Sequence, residues 1–156
     1  ACHTKAMPPM YRAKAYKGEP TRALFVEWTK EDQDYMAVVD SCVLCWIIYH
    51  GPLWMEKPLL WLHLITGIDY TEEDLSLIGE RIWNLERLFN LKAGLDAKDD
   101  TLPRRMLEEP RVKGQVVKLA QMLPEYYRLR SWDENGVPTP KKLTQLGLVK
   151  EEARVG

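Results

Sequence analysis

Cysteine is scarce in this chain. Cys2, Cys42 and Cys45 are too few and too unevenly spaced for a disulfide scaffold. Cys42 and Cys45 lie one helical turn apart, where a disulfide would strain the helix. Free or metal-bound thiols follow instead, and with them a reducing, cytoplasmic setting. Charge of one sign is also missing. The 22 basic residues are mixed among 23 acidic ones, for a net charge of -1, which gives no electrostatic reason to expect nucleic acid or an anionic membrane as partner. The apolar run at residues 36–49 carries Asp40 and falls short of the roughly 20 apolar residues a membrane span needs. No secretory signal is visible. The chain opens on Ala1-Cys2-His3-Thr4-Lys5 without an initiating Met, which reads as a processed chain, a split subunit or a fragment. Strand-like alternation, internal repeats and low-complexity tracts are absent as well.

What remains is helical. At 156 residues, 46% hydrophobic and with six Trp, the chain is long enough for one domain with a real core. Pro8-Pro9, Gly18 and Pro20 leave residues 1–27 irregular. Thr29 reads as an N-cap with Glu31 and Asp32 in the first turn, opening a helix that runs to Tyr49 and stops at Gly51-Pro52. Within residues 36–49 only Asp40 and Ser41 are polar, so this helix reads as buried nearly all round. A second apolar helix fits residues 54–65, ended by Gly67. Thr71-Glu72-Glu73-Asp74 resembles a capping box and starts a third helix, to Asn90. Its Leu75, Ile78, Ile82, Leu85 and Phe89 recur at helical spacing and predict one apolar face. Residues 92–114 read as a surface excursion. A helix at 119–132 is interrupted by Pro124 or starts its second half there, and Thr139-Pro140 caps a short last helix ended by Gly147. The fold class is all-α, an irregular multi-helix domain, with residues 1–27 as an N-terminal segment and 28–156 as the helical domain.

Asp40-Ser41-Cys42-Val43-Leu44-Cys45 is the segment that calls for chemistry. A carboxylate and two thiols on an apolar helix are costly to bury without something that binds them. On a helix Asp40 and Leu44 share a face, with Cys45 beside them. Several readings stay open on the residues alone. The cysteines serve as small core hydrophobes, or Cys2, His3, Cys42 and Cys45 bind zinc, or one thiol ligates an iron–sulfur cluster that needs more cysteines than this chain supplies. A thioredoxin-like redox pair lacks its βαβ context. His3 and His50 are ordinary taken singly, His63 reads as a hydrogen-bonded core residue, and Trp54, Trp61, Trp83 and Trp132 read as core.

At three stretches the sequence resembles the C-terminal part of the tungsten-containing aldehyde ferredoxin oxidoreductase family. Ala1-Cys2-His3-Thr4-Lys5-Ala6 is similar to a family Cys-His-x-basic-Ala segment. Asp40 to Cys45 is similar to the family's Asp-x-x-Gly-Leu-Cys. The longest stretch begins at Ile65-Thr66-Gly67 and runs through Gly79-Glu80-Arg81-Ile82-Trp83-Asn84-Leu85-Glu86-Arg87, Asp99-Asp100-Thr101-Leu102-Pro103, Glu125-Tyr126-Tyr127 and Arg130-Ser131-Trp132-Asp133. The resemblance implies a role for each matching residue. Cys45 becomes the last of four cysteine ligands to a 4Fe-4S cluster. Asp40 hydrogen-bonds the pterin of a tungstopterin (bis-molybdopterin) cofactor, with tungsten or molybdenum left open. Leu44 belongs to the same loop, Lys5 is a basic pterin contact, and His3 binds or protonates the oxygen of an aldehyde substrate. The chemistry suits the residue types: a carboxylate suits pterin N–H donors, a thiolate suits iron, and a His can donate to a developing oxyanion.

Two departures accompany the resemblance. Val43 stands where the family has Gly, and Cys42 is not a ligand position. The family's other three cluster cysteines, its catalytic glutamate and its N-terminal β domain are not in this chain. The implied partners are ferredoxin, the aldehyde, and the remainder of the parent enzyme or a partner subunit. Homo-oligomer formation is left open, and neither nucleic acid nor membrane is expected. Two rival readings are a tungsten-dependent aromatic acyl-CoA reductase subunit of the same family and a catalytically silent helical interaction domain.

Overall fold

A computed structural model describes residue 17 and residues 21–44, 56–110 and 116–149. Six α-helices occupy these residues: α1 (Arg22–Ser41), α2 (Glu56–Thr66), α3 (Glu72–Lys92), α4 (Arg104–Glu108), α5 (Leu119–Arg130) and α6 (Pro140–Gln145). Among the described residues the only sheet-like pairing is an isolated antiparallel bridge between Trp132 and Pro138. The fold is all-α.

The start of α1 differs from the sequence reading. Thr21, not Thr29, is the N-cap, and its hydroxyl accepts from the Leu24 N–H at 3.3 Å. Residues 22–27 are therefore helical rather than irregular. Thr29 lies inside the helix and returns its hydroxyl to the Phe25 carbonyl at 2.7 Å, the usual refuge of a mid-helix Thr. The far end differs too. The helix stops at Ser41 rather than Tyr49, so Asp40 sits in its last turn and Leu44 lies beyond it instead of on the same helical face. Burial holds for part of the segment read as buried: Asp34 to Val39 are buried in succession, whereas Ser41 and Val43 are exposed and residues 45–49 lie outside the described residues.

The third helix starts on the expected device. The Thr71 hydroxyl accepts from the Asp74 N–H at 3.1 Å, and the Asp74 carboxylate accepts from the Thr71 N–H at 2.9 Å. A short 3-10 turn at Ala97–Asp99 repeats the device with Asp96 and Asp99. Pro124 does not interrupt or restart α5, which is one helix with Pro124 inside it and ends at Ser131, in the left-handed region at φ 56°. Helix α6 begins at Thr139-Pro140 as read.

Helix α1 packs across both α3 and α5. At the α1–α3 crossing Gly79 touches the backbone of Asp34, and a Cβ at residue 79 would collide with the Asp34 carbonyl. Glycine is what lets the two helices approach this closely. The face of α3 that turns inward carries Leu75, Gly79, Asn84 and Arg87. The apolar face read from spacing is only partly this one. Leu75 is buried, but Leu85 is 57% and Phe89 72% exposed. His63 is likewise not a core residue: it lies at the surface with Nδ1 2.7 Å from Asp69. No helix among the described residues is long and apolar enough to cross a membrane.

Candidate functional site

The C-terminal end of α1 holds the two described residues of the candidate site. The chain leaves the helix through a Schellman turn. The Leu44 N–H reaches back to the Val39 carbonyl at 3.1 Å, and the Val43 N–H to the Asp40 carbonyl at 3.0 Å. Such a turn needs one residue in the left-handed region, and Val43 occupies it at φ 57°. A β-branched residue there is strained. The turn is completed by an apolar contact: Leu44 packs against Tyr35, Met36 and Val39. Its N–H and side chain are thus both committed to the turn.

Asp40 is half-buried one turn earlier. Among the described residues no hydrogen bond or ion pair engages its carboxylate. No basic residue occupies the last turn of α1. A carboxylate at a helix C-terminus faces the negative end of the macrodipole, which costs about 0.3–1 kcal/mol. An unpaired carboxylate in this position suits a ligand that presents N–H groups. Cys42 is half-buried beside it, and burial pushes its thiol up. Burial, and then the neighbouring Cys42, also push the Tyr35 hydroxyl up. Among the described residues no group of three His, Cys, Asp or Glu could hold a metal ion. His3, Lys5 and Cys45 lie outside the described residues.

Behind this end, α1 is anchored by charges that the sequence reading passed over. Asp34 and Arg130 are both buried and form an ion pair. The Arg130 guanidinium also donates to Gln33 at 3.0 Å, to the Lys30 carbonyl at 3.3 Å and to the Tyr126 hydroxyl at 3.1 Å. It lies over the rings of Trp83 and Tyr126 at 5.3 Å from each centroid. Lys30 donates to the second Asp34 oxygen at 2.9 Å. Glu80 is held by Lys142 at 3.1 Å and Lys30 at 3.4 Å. Burial would raise its carboxyl, but the two lysines outweigh it and hold Glu80 below its ordinary range.

A second knot fixes the loop after α5. Arg87 makes a two-pronged pair with Asp100, at 2.9 and 2.8 Å, and donates to the Gly136 carbonyl at 2.7 Å. The Tyr127 hydroxyl donates to the same Asp100, and burial followed by that carboxylate pushes it well up. Trp132 donates to Asn84 at 2.8 Å. The sequence carries no signal of these pairs, because Asp34 and Arg130 stand 96 positions apart.

Comparison with known proteins is consistent across methods. The family model described as aldehyde ferredoxin oxidoreductase, domains 2 and 3, matches residues 1–148. The tungsten-containing aldehyde ferredoxin oxidoreductase of Pyrococcus furiosus is 50% identical over 123 residues, covering 76% of this chain and 20% of that protein. The Thermococcus kodakarensis enzyme of the same name is 49% identical with the same coverage. The aliphatic sulfonate oxidoreductase, WOR-like subunit, of Pyrococcus furiosus is 29% identical over 164 residues, covering 97% of this chain and 23% of that protein. The solved active-site complex BamBC of benzoyl coenzyme A reductase shares the fold, with a TM-score of 0.70 at 24% identity over 85% of this chain and 21% of that one. The chain thus spans about a fifth of the length of the curated relatives it matches.

Proposed function

Because the chain belongs to the aldehyde ferredoxin oxidoreductase family, we propose that it is the C-terminal helical part of a tungstopterin enzyme that oxidises aldehydes to carboxylic acids. In the complete enzyme the aldehyde carbon gains an oxygen from water, two protons go to solvent, and two electrons leave for ferredoxin. The tungstopterin and a 4Fe-4S cluster, when bound, supply the two-electron chemistry and the path outward. The setting is cytoplasmic, in keeping with free thiols.

The observation that carries this reading is the Asp40 carboxylate, half-buried and unpaired in the last turn of α1. A pterin edge rich in N–H donors is the complement such a group needs. Leu44 contributes its carbonyl to the same loop, and its side chain packs against Tyr35, Met36 and Val39. Cys45 gives a thiolate to the cluster, and Lys5 offers a cation to the pterin. His3 donates a proton to the aldehyde oxygen as charge develops there. Cys42 stays protonated and packs.

Among family members the greater identity is to aldehyde enzymes, at 50% against 29% for the sulfonate enzyme. The likeness to benzoyl coenzyme A reductase reaches the fold alone. Metal content and intact mass of native-source material test the proposal. Tungsten or molybdenum with about four iron atoms supports it, as does loss of iron on Cys45→Ser and of tungsten on Asp40→Asn. A mass of 18.2 kDa with none of these metals rejects it and leaves a helical interaction domain.

A further inference from the structure

Trp83, Tyr126, Tyr127 and Trp132 line a cavity of about 430 Å³ where α1, α3 and α5 meet. That volume is in the range of small-molecule sites. The rings brace one another: the Trp132 centroid stands 5.8 Å from that of Tyr126 and 5.9 Å from that of Tyr127. Leu119 and Leu123 add apolar surface. The cavity is therefore preformed, and its lining matches a flat aromatic ring.

One amide supplies the directional polar group. The Gln33 Oε1 accepts from the Tyr126 hydroxyl at 2.6 Å and from the Arg130 guanidinium at 3.0 Å. The chemistry of the partners fixes this orientation. The Tyr126 oxygen already receives the Trp83 indole N–H at 2.8 Å and the Arg130 Nε–H at 3.1 Å, from groups that only donate. Its own proton therefore goes to Gln33, and the amide must present its oxygen there. The Gln33 Nε2 is left with two N–H groups and no partner among the described residues. Because no buried side-chain nitrogen among those residues lacks a hydrogen bond, Nε2 opens onto free space, and the space that Gln33 borders is this cavity. Charge narrows the ligand further. Glu86, Asp99 and Asp100 bring three carboxylates to the lining against one guanidinium, Arg87, which is already paired with Asp100. An anion is repelled there.

We infer that this cavity binds a small neutral aromatic molecule through a carbonyl oxygen, which accepts from the Gln33 Nε2. A carboxylate on the same ring is turned away by the acidic lining. The inference rests on this cavity and not on the chemistry proposed for the Asp40 loop.

The test is equilibrium dialysis of labelled benzamide against the complete native-source protein. Benzamide carries the ring and the neutral carbonyl, and benzoate is its anionic counterpart. The expected result is saturable binding of benzamide, roughly tenfold tighter than that of benzoate. Gln33→Glu is the informative variant. It keeps an oxygen for Tyr126 and Arg130 and removes the Nε2 donor. Its melting temperature is expected to hold while benzamide binding falls about tenfold, the effect of one lost hydrogen bond. Leu119→Trp keeps Gln33 and fills the cavity, and is expected to abolish binding. Benzamide binding unchanged in both variants puts the ligand elsewhere and overturns the inference. So does the absence of saturable binding, or benzoate bound as tightly as benzamide. If Gln33→Glu melts early, Leu119→Trp decides alone, and undiminished binding there overturns the inference. None of these readouts uses metal, so a protein without tungsten, molybdenum or iron that still binds benzamide through Gln33 keeps this site while rejecting the proposed oxidoreductase.

Discussion

Helix α3 has two faces of opposite character. Inward, beyond the buried Leu75, it turns Gly79, Glu80, Asn84 and Arg87, a face that is mostly polar and little exposed. Toward solvent it turns Leu85 and Phe89, a face that is apolar and wet. The usual arrangement is the reverse. The dry face is stable because every buried charge has a partner: Asp34 with Arg130 and Lys30, Glu80 with Lys30 and Lys142, Arg87 with Asp100. Among the described residues no buried side-chain nitrogen or oxygen lacks a hydrogen bond. Matched polar groups let this face stay buried beside the apolar core of Val26, Met36, Val38 and Leu146.

Breaking the polar face carries the largest expected effect. Arg130→Met leaves the Asp34 carboxylate buried with Lys30 alone, and destabilises by about 3–5 kcal/mol. Thermal melting shows this as a fall of roughly 10 °C. Adding Asp34→Leu to that variant restores most of the loss, because an apolar pair of similar volume removes the uncompensated charge. A double variant as unstable as the single would mean that the pair itself, and not its desolvation, holds the helices. Gly79→Ala comes next. Its methyl group meets the Asp34 carbonyl and pushes α1 away, at a cost of about 2 kcal/mol by denaturant titration.

Acid sharpens the same comparison at smaller size. Glu80 titrates below its ordinary value of 4.5 in the folded protein. Its contribution is therefore full above that value and lost as the pH falls through the folded one. Glu80→Gln is expected to flatten the decline of melting temperature below about pH 4.5. An unaltered acid profile would show that the lysines do not hold Glu80 ionised.

Val43→Gly works in the opposite direction. It relieves left-handed strain of about 1–2 kcal/mol and gives back part of this in backbone entropy. The net expectation is a stabilisation of about 1 kcal/mol by chemical denaturation. Smallest of all, Phe89→Ser in the 156-residue chain should move its own unfolding free energy by less than about 0.5 kcal/mol. A larger loss would mean that this chain's own residues cover the open face.

Several parts of this fold were legible in sequence, and the reasons are local. Thr71 and Asp74 close a capping box within four residues, and Thr139-Pro140 start α6 just as locally. The beginning of α1 was misread because Glu31 and Asp32 looked like first-turn acids. The neighbouring Asp34 shows what charges in this stretch do, which is to bind partners brought from α5. The end of α1 carried no signal, since the turn needs a left-handed residue and the sequence offers Val where Gly would have announced it. For the candidate site, Asp40 was visible as a carboxylate in an apolar run. The ion pairs behind it were not, because Asp34 and Arg130 stand 96 positions apart.

The Asp34–Arg130 pair also acts as a fulcrum. Asp40 stands six residues further along the same helix, a lever arm of about 9 Å. A tilt of about 5° at the pair swings the carboxylate by about 0.8 Å. The position of the tip of α1 is thus set at the Asp34–Arg130 pair, about one and a half turns before Asp40.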